Sequence, residues 1–265
     1  KKTDRIDAEK IAQILRMGSI PECYVPSAHT RGVRNMVRQH VRLAQARTKV
    51  ANQVHNLLDA HGKAVHAANM YSHKALSYLD ALNLGDAQDN FVLRQCARRI
   101  RHYTSEITEI DRQLGAEAAQ NADAKLLASM TGIGTYTAIL LASEISEISR
   151  FETPKRMISW AGLCPTVSQS GKETRLGRIK KVGSDSLVNW AMCEAANVAV
   201  MHDARMKAVY EAARRRHAGK HTLAIIVVAH KMVTIMWHML KTRTPYESRS
   251  EDLYRRKLAK MQKRR

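Results

Sequence analysis

The sequence predicts a mainly α-helical protein, on three observations. Gly and Pro number only 12 and 5 in 265 residues, while Ala, Leu, Met, Arg and Lys abound, a usage that favours helices. Apolar residues recur at i,i+4 over long windows: Val33, Val37 and Val41, then Val50, Val54 and Leu58. Hydrophobic residues make up 45% and the mean hydropathy is −0.38, which supplies a core and excludes a disordered basic tail.

The elements follow in order. Thr3-Asp4 starts a helix that carries Ile6, Ile11, Ile14 and Leu15 up to Gly18. Residues 18–26 hold two prolines and are extended, because each Pro disfavours helix at its predecessor. A long helix begins near Thr30 and ends at Gly62. A second covers about residues 88–114, with Val92, Ile100, Tyr103, Ile107, Ile110 and Leu114 inward. Their charged outer faces predict an antiparallel pair or coiled coil, with an ordinary bundle as the plain alternative. The polar stretch 115–123 marks a domain boundary. Beyond it come the Thr131-Gly132-Ile133-Gly134 turn, a short helix at residues 154–161, and a Gly/Ser/Lys-rich segment at 163–183. Apolar helices follow at 184–201 and 222–241. The longest apolar run, residues 223–229, stops at His230-Lys231 and is too short to span a bilayer.

Charge narrows the function. The formal net charge is +20, and it is uneven: residues 1–150 hold 20 basic and 15 acidic side chains, residues 151–265 hold 24 and 9. An excess of this size implies a polyanionic partner, with nucleic acid ahead of an anionic membrane. With aromatics at 5%, an aromatic platform for single strands is disfavoured. Cys23, Cys96, Cys164 and Cys193 form no C-x-x-C pair, so neither zinc nor a disulfide framework is suggested, and a reducing cytoplasm is the simple reading. The chain begins at Lys1 without a Met and without a signal peptide, and reads as a fragment lacking an upstream part.

Four segments bear on chemistry. Asp4 and Asp7, at i,i+3, share one helix face, where paired carboxylates hold Mg²⁺ or, alternatively, cap the helix with Asp4 as the N-cap. The turn at Gly132 and Gly134 has the form of a helix-hairpin-helix, whose second helix, from Thr135, offers free N–H groups to a backbone phosphate; plain packing is the alternative. Ser170-Gly171-Lys172 is no phosphate loop, since Thr166 stands where Gly is required. It is either a solvated turn or a hydroxyl poised to attack a phosphodiester, with Arg175, Arg178, Lys180 and Lys181 beside it. His230 and His238 have no metal-ligand spacing.

Lys2-Thr3-Asp4-Arg5-Ile6-Asp7-Ala8 resembles the K-T-D-x-x-D-A block of the DEDD-type insertion-sequence transposases, bridge-RNA-guided recombinases related to the pilin-gene inverting recombinase. Met130-Thr131-Gly132-Ile133-Gly134, Trp160-Ala161-Gly162-Leu163-Cys164-Pro165, Ser170-Gly171-Lys172 and Thr244-Pro245-Tyr246 follow in that family's order. The resemblance implies residues 1–28 as the remnant helix of a RuvC-like domain, 29–120 as a coiled-coil region, 121–248 as a helical transposase domain with a helix-hairpin-helix and a small irregular or β-hairpin loop, and 249–265 as a basic tail. It implies Asp4 and Asp7 as two of four carboxylates around Mg²⁺, and Ser170 as the nucleophile that joins DNA. It further implies DNA and a guide RNA as partners, dimers or tetramers through the long helices, and action in the bacterial cytoplasm at the nucleoid. A non-catalytic DNA- or RNA-binding module, gripping through the glycine turn and the basic half, is the rival reading. With half of the metal site upstream, this stretch alone is expected to be inactive.

Overall fold

Ser27 starts the longest apolar stripe, its Oγ accepting from the Thr30 N–H at 3.1 Å. In the structure, a computed structural model, residues 3–19, 23–64, 69–170, 173–179, 186–246 and 259 are described, 166–170 and 173–179 by backbone alone. Helix α1 (Asp4–Arg16) is followed by α2 (Ala28–Ala60), a short α3 (His73–Ala81) and α4 (Ala87–Gln120). Then come α5 (Ala122–Leu127), α6 (Thr135–Ile145) and α7 (Pro154–Trp160). An antiparallel pair, β1 (Pro165–Ser170) and β2 (Glu173–Ile179), precedes α8 (Ser186–His202), α9 (Ala204–Arg216) and α10 (His221–Thr242).

Helices α2 and α4 are each about 50 Å long at 1.5 Å per residue. They run antiparallel, stitched along their length by His29–Glu117 (3.3 Å), His40–Asp111 (3.3 Å), Arg47–Thr104 (3.3 Å) and His61–Asp89 (2.7 Å). Gly62 ends α2 in a left-handed conformation (φ +60°), donating to Asp59 C=O while Lys63 donates to Leu58 C=O, a pairing that satisfies the orphan carbonyls of the last turn. Gly18 ends α1 the same way.

The inner face of α4 is Leu93, Cys96, Ala97, Ile100, Ile107 and Leu114; Val92, expected inside, is 46% exposed. Helix α4 does not stop at 114. It continues through the small residues Gly115, Ala118 and Ala119, all buried, and Asn121 both ends it and caps α5, its Oδ1 accepting from Ala124 N–H at 2.8 Å. The polar stretch 115–123 is therefore the last turn of α4 and the first of α5, and no gap in the packing falls there.

Two cores result. One lies between the far halves of α2 and α4 and under α3, from Val50, Val54, Leu58, Leu76, Leu79, Leu93 and Ile100. The other joins the near ends of the pair (Val33, Val37, Leu114, Ala118) to α5–α8 and α10. In its middle, α10 buries Ala224, Val228, Met232, Met236 and Leu240. This 22-residue helix is long and apolar enough by length and composition alone to cross a membrane, but half of its apolar window is buried inside the protein, with His230 and Lys231 on its exposed side.

The segment after α10 is strapped back. Tyr246 N–H donates to Ser129 Oγ at 2.8 Å, and its hydroxyl donates to Asp203 Oδ2 at 2.7 Å, on the residue that caps α9. Burial first, then the bond to Asp203, push the Tyr246 hydroxyl up to about 12. The protonated phenol is thus favoured by the fold. Its contribution is whole below the ordinary tyrosine range near 10 and is lost as pH rises through about 12. Tyr246→Phe is expected to lower urea stability at pH 7 by about 1.5–3 kcal/mol, the worth of a hydrogen bond to a charged group. The fall in stability of the parent protein from pH 10 to 12 should flatten in the variant.

Candidate functional site

The opening helix carries the paired carboxylates. Thr3 is the N-cap, its Oγ1 accepting from Ile6 N–H at 3.5 Å, so Asp4 is the first helical residue and not the cap that the capping alternative assigned. Asp7 N–H donates to Thr3 C=O at 3.0 Å, which places both carboxylates in the first turn, where the helix dipole favours negative charge. Asp4 is exposed and Asp7 half-buried. No residue of α1 is buried; Ile11 and Leu15 are 59% and 65% exposed.

Oxygen donors on one face suit Mg²⁺, which binds through one or two carboxylates and keeps several waters. Among the described residues, however, no group of three or more His, Cys, Asp or Glu is placed to hold a metal. Asp4 and Asp7 therefore fit two ligands of a site and not a whole one.

The glycine turn divides into two roles. Ile133 N–H donates to Met130 C=O at 3.2 Å, closing a turn with Gly132 at φ +90°, which L side chains rarely adopt. A Cβ on Gly132 would lie 2.2 Å from the Ala195 carbonyl oxygen, so this glycine lets the turn rest directly on the backbone of α8. Gly134 differs: it is exposed, has open space around it and starts α6 without a side-chain cap. Thr135 follows, half-buried, at the first helical position.

Ser170 ends β1 and pairs in register with Glu173, with Arg175 opposite Ser168; Arg178 also lies in β2. Only the backbone of these positions is described. Lys172, Lys180 and Lys181, and the basic tail 249–265 apart from residue 259, lie outside the described residues.

Sequence reading missed a polar knot at the end of α6. Glu144, 2% exposed, forms an ion pair with Arg34 (Nε to Oε2, 3.2 Å) and accepts from Arg38 Nη2 at 3.0 Å. Arg34 also donates to the Ser143 carbonyl (2.8 Å) and the Glu144 carbonyl (2.9 Å), and Arg150 to those of Glu144 and Ile145. Two arginines thus complete the C-terminus of α6. Arg150 lies over the rings of Tyr24, Phe151 and Trp160 at 4.7–5.3 Å, and burial draws its pKa down from the usual guanidinium range. Tyr24, unassigned from sequence, bonds Ser146 Oγ through its hydroxyl at 2.7 Å and pins the linker before α2. Tyr71 packs under Arg47 at 4.0 Å, while Tyr78 is 37% exposed on α3. A lone Glu in the last turn of an otherwise apolar helix was the available signal.

Cys23, Cys96, Cys164 and Cys193 are all free thiols, and burial pushes the last three up. His230 and His238 are exposed on α10 and, among the described residues, join no metal-holding group.

A helical scaffold with a carboxylate pair on one arm and a strongly basic second half is that of a protein working on a polyanion. Comparison with known proteins makes this specific. The profile of the DEDD transposases of IS110 elements matches residues 1–63, and that of the IS116/IS110/IS902 transposase family matches residues 124–211. Over these two stretches the chain is similar to the IS110/IS902 and DEDD transposases. It is 28% identical over 254 residues to a probable family 20 transposase of Pseudomonas aeruginosa, covering 92% of this chain and 74% of that protein. It is 22% identical over 251 residues to the transposase for insertion sequence element IS1111A of Coxiella burnetii (92% and 68%). It is 26% identical over 159 residues to the pilin gene-inverting protein of Moraxella bovis (58% and 49%). The chain spans from about a third to about three-quarters of the length of the curated relatives it matches.

This overturns the serine-nucleophile reading. The profile over residues 1–63 is that of a class named for acidic residues, and the relative aligned over most of the chain is a transposase. A divalent metal held by carboxylates would itself activate the attacking oxygen, so a transposase of that class needs no serine nucleophile.

Proposed function

We propose that the chain forms part of a DNA transposase that works through acidic residues and a divalent metal, Asp4 and Asp7 supplying two of the ligands. One observation carries this reading: both carboxylates stand in the first turn of α1, within the stretch matched by the DEDD profile. Mg²⁺, when bound, would polarise a phosphodiester and activate the attacking oxygen. The residues of this chain orient the metal and the DNA. Asp4 and Asp7 present oxygens from one helical face, completed by ligands outside the described residues. The N–H groups of α6 after Gly134 suit a backbone phosphate, in the manner of a helix-hairpin-helix. The strands and basic residues around Arg175, Arg178, Lys172, Lys180 and Lys181 add sequence-independent grip, as does the tail.

The long helices serve self-association, with Phe91 (63% exposed) and Val92 as the available apolar surface near the start of α4. A structured guide RNA is a second polyanion for the basic half, and chromosomal DNA as substrate places the work in the bacterial cytoplasm. The matches to transposase profiles favour this reading over a non-catalytic binding module.

The test uses the complete protein, its element DNA and Mg²⁺. Asp4→Asn and Asp7→Asn are each expected to lower strand cleavage and joining by at least about 100-fold while leaving DNA affinity and helix content intact. Helix content is preserved because no residue of α1 is buried. Unchanged cleavage in both variants would leave Asp4 and Asp7 with no more than a favourable place at the positive end of the α1 dipole. Ribonuclease treatment before the assay reads the RNA arm: activity lost on digestion and restored by added RNA supports it.

A further inference from the structure

The face of α2 opposite its buried stripe forms a basic wall. Arg38, Arg42, Gln45 and Lys49 follow one another at i, i+4, i+7 and i+11, and so lie on one helical face. That face and the first turn of α8 enclose an open cleft of about 920 Å³, with Leu187 and Trp190 as the opposite wall. Trp190 is 50% exposed, on a helix that buries Val188 and Met192 against the core. Arg38 reaches Glu144 with one nitrogen, but among the described residues no carboxylate pairs with Arg42 or Lys49, and none lines the cleft.

A cationic row facing an exposed indole is the arrangement that single-stranded nucleic acid requires. Phosphates need fixed positive charge at intervals, and an unpaired base needs an aromatic face, which a duplex cannot use because its bases are stacked. A protein segment would leave two unpaired cations against its backbone, whereas a polyanion neutralises both.

We propose that this cleft binds a single-stranded DNA segment, one base stacked on Trp190 and the adjoining phosphates on Arg42 and Lys49. Its lining includes neither the carboxylate pair of α1 nor Gly134 and Thr135 at the start of α6, although Tyr136 of that helix packs on His40 in the wall at 4.2 Å. The proposal rests on the transposase reading for its choice of DNA. Low aromatic content excludes a stacking platform, and a single indole in a charged cleft needs none.

The experiment measures fluorescence anisotropy of a labelled oligothymidylate, the same length of duplex DNA, and an oligouridylate, with EDTA present so that metal-dependent chemistry plays no part. Trp190→Ala is expected to weaken oligothymidylate binding by about 10-fold or more. Trp190→Phe retains most of the affinity, and duplex binding changes less than twofold. Arg42→Gln and Lys49→Gln should each lower the slope of log affinity against log salt by close to 1. Equal losses for oligothymidylate and duplex, or no loss in Trp190→Ala, overturn the proposal. A Trp190-dependent preference for oligouridylate over oligothymidylate overturns the assignment to DNA and makes the occupant RNA. Because binding is read without metal, failure of the carboxylate assignment leaves this result unaffected, and the reverse holds.

Discussion

Gly132→Ala is expected to cost about 4 kcal/mol or more, a large share of the 5–15 kcal/mol that holds a typical domain folded. Two penalties combine. Alanine at φ +90° is strained, and its Cβ would stand 2.2 Å from the Ala195 carbonyl oxygen and 3.1 Å from the Ala199 nitrogen. Those atoms belong to the backbone of α8, so no side chain can swing aside. Gly134→Ala, two residues on, meets nothing within 4 Å and has an ordinary φ of −88°. It should cost no more than about 1 kcal/mol, as a poorer N-cap. Urea midpoints of the two variants decide the matter: similar losses would show that the turn does not rest on α8 as described.

Glu144→Ala is expected to cost about 3–5 kcal/mol, the range for removing one partner of a buried ion pair. Arg34, 15% exposed, would keep its bonds to the Ser143 and Glu144 carbonyls but lose the anion that balances its charge. The double variant Arg34→Met/Glu144→Leu removes both charges and leaves apolar groups of similar size. It should be more stable than the sum of its single variants predicts, by about 1–3 kcal/mol of coupling. Additive losses would mean that the knot at the end of α6 holds by packing alone.

Much of the scaffold was legible in the sequence because it rests on simple periodicity. The stripe Val33–Val37 and Val50–Val54–Leu58 is the buried face of α2, and Gly18 and Gly62 end their helices as glycines at left-handed positions do. Legibility fell where small residues do the packing. The inner face of α4 depends on Cys96, Ala97, Gly115, Ala118 and Ala119, which a reading weighted towards bulky side chains passes over. That is why Val92 was turned inward and a boundary drawn at 115–123. Helix α9 buries only Met206 and Ala213 among its arginines, so no stripe announced it. Of the candidate site, Asp4 and Asp7 were visible through their spacing. Arg38, Arg42 and Lys49 were not, since alone they read as the solvated side of a long helix, and Trp190 faces them from about 140 residues away in the chain.

At Gly132 the molecule dispenses with side chains between two of its parts. The turn that begins α6 and the helix that bears Trp190 meet main chain to main chain, so no change of rotamer can let one slip against the other. The distance between the free start of α6 and the indole is therefore a stiff gauge. A strand that touches both ends of it must adopt the protein's measure, and the bending or unstacking that this demands is borne by the nucleic acid, whose sequence sets how readily it yields.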